Sequence, residues 1–152
     1  MARRRVLLVG GESGVVGVLR EYFHQGDDYE VESVEYCDDA LATLLRRPFD
    51  LVLLLGLRAP WRTWPSLSYP ARRIGSESAM LFLKQLRSLH HPVPVVVVSG
   101  APSANAEAET LSCGAFAFVP KPVNLRELDD LVARAIASAP RGGRTGRAEK
   151  GG

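Results

Sequence analysis

An apolar run that ends in a cluster of glycines, "RVLLVGGESG" from Arg5 to Gly14, is the first place where this chain could hold a ligand. Successive backbone N–H groups in a glycine turn, followed by a helix N-terminus, form a cradle for phosphate or another anion. Two familiar cradles lack their spacing here. Val16, not glycine, follows Gly11 at the place the P-loop requires, and no Lys-Ser/Thr pair comes after it. Gly10 and Gly11 are adjacent, so the dinucleotide pattern G-x-G-x-x-G fails as well. An anionic ligand at Gly10–Gly14, whether flavin, nucleotide or phosphate, stays open as one reading of this corner. Other chemistry is thin. His24, His90 and His91 read as solvated, and Cys37 and Cys113, far apart and without metal-ligand spacing, read as small buried hydrophobes. Asp38 and Asp39 look like N-cap and first-turn acids, Asp27-Asp28 belongs to a turn, and Asp129-Asp130 reads as a solvated helix face. No spacing pairs a nucleophile with a base.

The elements that must position these residues follow from hydrophobic period. Apolar runs at Arg5–Gly10, Tyr29–Tyr36, Asp50–Gly56, Val93–Ser99 and Ala115–Val119 predict strands. Helical patterns fall at Val15–Gln25, Asp38–Arg46, Ser76–Leu89, Ser103–Cys113 and Leu125–Ser138. "LVLLL" and "VPVVVV" are continuous, as expected of central parallel strands covered on both faces; "YEVESVEY" alternates and belongs nearer an edge. Strict β-α repetition with short connections gives an α/β fold: a doubly wound, five-stranded parallel sheet with helices on both faces. Ligands of such sheets bind outside the carboxyl ends of the strands.

At 152 residues the chain is one domain's length, with a formal net charge of +2. The positive charge sits at the two ends, in Arg3, Arg4 and Arg5 and again in Arg141, Arg144, Arg147 and Lys150, which leaves a mildly acidic body. A domain-wide basic face is missing, so nucleic acid is not the expected partner. No apolar stretch approaches membrane-spanning length, and two unpaired cysteines suit a reducing compartment, so a soluble cytoplasmic protein is expected. From Pro140 the sequence "PRGGRTGRAEKGG" has no apolar core residues and reads as a disordered basic tail over 140–152, leaving a domain at 1–139.

The carboxyl-edge loops carry a resemblance. "VLLVGGESG", "FDLVLLLGLRAP", "VPVVVVSG" and "GAFAFVPKPVNLREL", in that order, are similar to the sequence blocks of the response-regulator receiver domain, the phosphorylatable module of bacterial two-component and phosphorelay signalling. The resemblance implies a flavodoxin-like (CheY-like) fold. In the family, two neighbouring acids after the first strand and an aspartate after the third bind a divalent metal, and the aspartate is the phosphoryl acceptor. Here the acid pair falls on Gly10 and Gly11, with Glu12 one place beyond. The acceptor falls on Gly56 when aligned from "LRAP", or on Leu55 when counted from Asp50. The resemblance leaves Ser99, Phe118, Lys121 and Pro122 in place: the hydroxyl, the switch aromatic and the Lys-Pro pair.

Between Pro60 and Gly75 the chain carries an insertion over 61–74, "WRTWPSLSYPARRI", longer than the family loop. Trp61, Trp64 and Tyr69 are costly to leave in water, so they fold over the emptied pocket or meet a partner; with Arg62, Arg72 and Arg73 they are candidate interaction residues. The expectation is a stand-alone, atypical receiver, not an enzyme, with no cofactor and no metal. It would act by phosphorylation-independent contact with a protein partner, or with a second copy through the face of the fourth helix, fifth strand and fifth helix.

Overall fold

The computed structural model describes residues 4–11, 13–25, 28–56, 60–61, 77–99, 104–121 and 123–138. Five strands alternate with five helices: β1 (Arg4–Gly10), α1 (Ser13–His24), β2 (Tyr29–Val34), α2 (Cys37–Arg46), β3 (Leu51–Leu55), α3 (Glu77–Ser88), β4 (Val95–Ser99), α4 (Ala104–Ser112), β5 (Ala117–Pro120) and α5 (Leu125–Ser138). All neighbouring strands are parallel, in the order β2-β1-β3-β4-β5. The alternating strand β2 is an edge, and the continuous apolar strands β3 and β4 lie inside the sheet.

Side chains along a strand point to opposite faces in turn, and both faces here are covered. Val6, Leu8, Leu51, Leu53, Leu55, Val96 and Val98 face one layer, where Leu19 and Phe23 of α1 and Leu128, Val132, Ala135 and Ile136 of α5 meet them. Leu7, Val9, Val52, Leu54, Val95 and Val97 face the other, against Cys37, Ala40 and Leu44 of α2 and Phe82, Leu83 and Leu86 of α3. A strand dealt to two cores has no polar face, and this is why the inner strands read as unbroken Val and Leu. The spacing of Leu128, Val132, Ala135 and Ile136 is one stripe of a 3.6-residue helix.

Several bounds differ from the sequence expectation. Strands β2 and β4 are shorter than their apolar runs: Tyr36 precedes α2 as its N-cap, and the Val93 N–H donates to His91 Nδ1 at 3.2 Å instead of joining the sheet. The α2 cap is thus Tyr36 and not Asp38; Asp38 and Asp39 lie in the first turn, where they complement the helix dipole. His91, expected in water, is half-buried. Because Nδ1 accepts from Val93, Nε2 carries the ring proton and donates to Leu44 O at 3.3 Å, tying the end of α2 to the start of β4. Asp129 also departs from a solvated face: its Oδ2 accepts from Tyr22 OH at 3.4 Å, linking α5 to α1.

At the β2 edge, Arg47 bonds both oxygens of Glu32, one at 2.6 Å, and Arg5 lies 3.3 Å from Glu30. Both guanidiniums stand 5.6 Å from the Phe49 ring centroid. Arg5 therefore belongs to a structural network, not to a free basic terminus. The expected tail, residues 140–152, lies outside the described residues, as does the insertion beyond Trp61. No helix among the described residues is long and apolar enough to cross a membrane.

Candidate functional site

Strand order fixes where a ligand corner lies. From β1 the chain winds outward to β2, then crosses to β3 on the other side, so the order reverses between β1 and β3. That switch point opens a crevice at the carboxyl ends of the two strands. Gly10 pairs with Leu55 across it, and Gly11 and Gly56 are the next residues on each chain. The sequence-predicted corner is thus assembled as expected, with glycine on both sides of the crevice.

All three glycines have left-handed backbone: φ is +74° at Gly10, +86° at Gly11 and +119° at Gly56. Only glycine takes such values without strain. Gly56 N–H donates to Leu54 O at 3.1 Å, a tight reversal that ends β3. Leu55, the other candidate for the acceptor position, is not at the surface: it is 4% exposed, with its side chain in the α1/α5 layer. A methyl group built on Gly11 would lie 2.9 Å from both Leu55 Cβ and Leu55 Cδ1.

Of the positions that the resemblance singled out, Ser99 and Lys121 lie together on the far side of the crevice. Ser99 ends β4, 2% exposed and paired with Pro120, and its carbonyl accepts the Lys121 N–H at 2.8 Å. Lys121 is therefore held by its backbone at the level of the glycines, with its side chain half-buried. Phe118 pairs with Val97 and packs, partly buried, against the α2/α3 layer. Trp61 packs against that same layer, and the Pro60 carbonyl accepts the Cys37 N–H at 2.8 Å. The start of the long loop is thereby pinned to α2. Glu12, Arg62, Trp64, Tyr69, Arg72, Arg73 and Pro122 lie outside the described residues.

The face of the fourth helix, fifth strand and fifth helix, expected from the sequence to meet a partner, carries a groove of about 400 Å³ between β5 and α5, lined by Phe118, Val119, Pro120, Glu127, Leu128, Leu131 and Arg134; the sequence named the face but not the groove. Its floor is apolar and its rim charged. Val119 on the edge strand β5 and Leu131 on α5 are both half-buried. Buried Cys37 behaves as the sequence suggested, since burial pushes its thiol far above the ordinary range and keeps it protonated.

A doubly wound parallel sheet with its crevice at the β1/β3 switch point defines a flavodoxin-like α/β protein. Within that class the fold is that of the response-regulator receiver domain, CheY-like in order and winding. No family model matches the sequence. The chain is 26% identical over 136 residues, 90% of its length, to the response regulator protein PilR of Pseudomonas aeruginosa. It spans only 27% of that relative. Among solved structures, a CheY-like receiver domain of Methanospirillum hungatei superposes with a TM-score of 0.68 at 20% identity, over 90% of this chain and 95% of that one. The receiver domain of a Pseudomonas aeruginosa sensor histidine kinase matches with a TM-score of 0.67 at 19% identity, over 90% of this chain and all of that one; it holds a magnesium ion in its active-site cleft.

The described residues of this chain do not fit such an ion. Magnesium wants several oxygen ligands in near-octahedral geometry, usually one or two carboxylates with water. Gly10, Gly11 and Gly56 offer no side-chain oxygen. The described residues also contain no group of three His, Cys, Asp or Glu side chains able to hold a metal.

Proposed function

We propose that this chain is an atypical receiver of bacterial two-component or phosphorelay signalling, working in the cytoplasm by protein contact, with no aspartyl phosphorylation and no catalysis of its own. One observation carries the reading: glycine with left-handed backbone stands at Gly10, Gly11 and Gly56, where the family's chemistry needs carboxylates. Without a carboxylate there is no nucleophile for an acyl phosphate, and without oxygen ligands nothing offsets the charge on a transferring phosphoryl group. Ser99 and Lys121 are what remains of the phosphoryl-binding side, and Gly56 is the vacated acceptor position.

Contact surfaces replace chemistry in this reading. The β5/α5 groove, with Leu111 on α4 at 41% exposure and Phe116 before β5 at 39%, supplies apolar area on the face where typical receivers meet partners. A protein partner, or a second copy of the chain, docks there. The long loop after Pro60, anchored by Trp61, adds a second contact element with Arg62, Trp64, Tyr69, Arg72 and Arg73.

The test is intact mass spectrometry of the protein after incubation with acetyl phosphate and magnesium chloride. No phosphoryl adduct is expected. A stoichiometric, acid-stable and base-labile adduct would overturn the reading.

A further inference from the structure

At the switch-point edge the backbone is as distinctive as the side chains, with positive φ at Gly10, Gly11 and Gly56. We infer that this edge is rebuilt around glycine, so that returning carboxylates to positions 10, 11 and 56 does not restore a divalent-cation site. The inference rests on the reading above, that the native chain does not use such a site, and asks whether the loss is reversible.

Two separate obstacles stand in the way. The first is steric and local to Gly11. Its missing Cβ would meet Leu55 Cβ and Cδ1 at 2.9 Å and Val16 Cγ2 at 3.4 Å. A flexible side-chain end could swing aside, but Leu55 Cβ moves only with the β3 backbone. Leu55 is paired with Gly10 on one side and Val98 on the other, so β3 shifts only by disturbing two strand registers. The leucine fills the space beneath Gly11 and packs in the α1/α5 core.

The second obstacle is conformational. Among the described residues nothing lies within 4 Å of a Cβ built on Gly56, but φ of +119° is a backbone that L residues rarely adopt. Gly10 at +74° and Gly11 at +86° share the difficulty. Magnesium needs its oxygens converged at about 2.0–2.1 Å with little angular tolerance, so a carboxylate carried on backbone that L residues rarely adopt must be re-aimed before it can ligate. The fold is that of a metal-binding receiver while the edge is closed to the metal.

The experiment compares the native protein with the Gly10→Asp/Gly11→Asp/Gly56→Asp variant by isothermal titration with magnesium chloride alone, and follows both by thermal unfolding. Neither protein is expected to bind at millimolar magnesium, and the variant is expected to lose about 10 °C or more in Tm. One-to-one binding by the variant but not by the native protein would overturn this inference and leave the proposed function standing. Binding by the native protein would overturn both. If the variant does not fold, single alanines decide. Gly11→Ala is expected to lower Tm by several degrees, whereas Gly14→Ala, in α1 with nothing among the described residues within 4 Å of its Cβ, leaves Tm unchanged or raises it. An unchanged Tm for Gly11→Ala would show that the space is open and sink the inference.

Discussion

That glycine stands at positions 10, 11 and 56 is plain from the sequence, and the proposed reading takes them as missing acids. That Leu55 stands beneath Gly11 is not plain there. The contact joins residues on different strands, and its register is set by pairing between Gly10 and Leu55, a tertiary fact with no local signature. Charged residues show the same limit. Arg5 looked like part of a basic end, yet its guanidinium is shared between Glu30 and the Phe49 ring, and its N–H donates to Asp50 at 2.8 Å. Glu32 yields a pH prediction. Its hydrogen bonds to Arg47, reinforced by the charges of Arg47, Arg5 and Arg20, hold the carboxyl below its usual range, with desolvation opposing. A carboxyl depressed in the folded state contributes stability above its unfolded range, and that contribution is lost as pH falls through the lowered folded value. Thermal unfolding between pH 7 and pH 3 should therefore show a shallower acid-side decline for Glu32→Gln than for the native protein. Both partners are partly exposed, so the difference is small.

Elements were more legible than their connections. Period and length placed all five helices and strands within a few residues, because α1, α2, α3 and α5 each bury an apolar stripe and each inner strand has two buried faces. Ends were less legible, since pairing and capping decide them. The start of α5 has a local signal: Asn124 Oδ1 accepts the N–H of Arg126 at 3.0 Å and of Glu127 at 3.1 Å, satisfying two donors of the first turn. Asn124→Ala should cost about 1 kcal/mol, read by urea unfolding, with the slope against urea unchanged. The same change would loosen α5, which with β5 walls the proposed docking groove. His91 has no such signal. Its ring bridges Leu44 of α2 to Val93, two residues before β4, and only the folded chain brings them together.

At the scale of the whole molecule, the doubly wound topology was legible because alternation of β and α with short links leaves few parallel arrangements open. The topology also decides where function concentrates. It carries the ends of β1, β3 and β4 and the residue after β5 to one edge, so Gly11, Gly56, Ser99 and Lys121 meet although they span most of the chain. The same arrangement runs the β5/α5 groove from Pro120, at the carboxyl end of β5, along α5 to Arg134, so the proposed docking face begins beside Lys121. The most direct test of this account is a titration of the protein with beryllofluoride, a phosphoryl mimic, and magnesium chloride, followed by amide NMR. The account predicts no change in the Gly10, Gly11, Gly56, Ser99 or Lys121 resonances. Saturable, magnesium-dependent shifts of those five amides would contradict it.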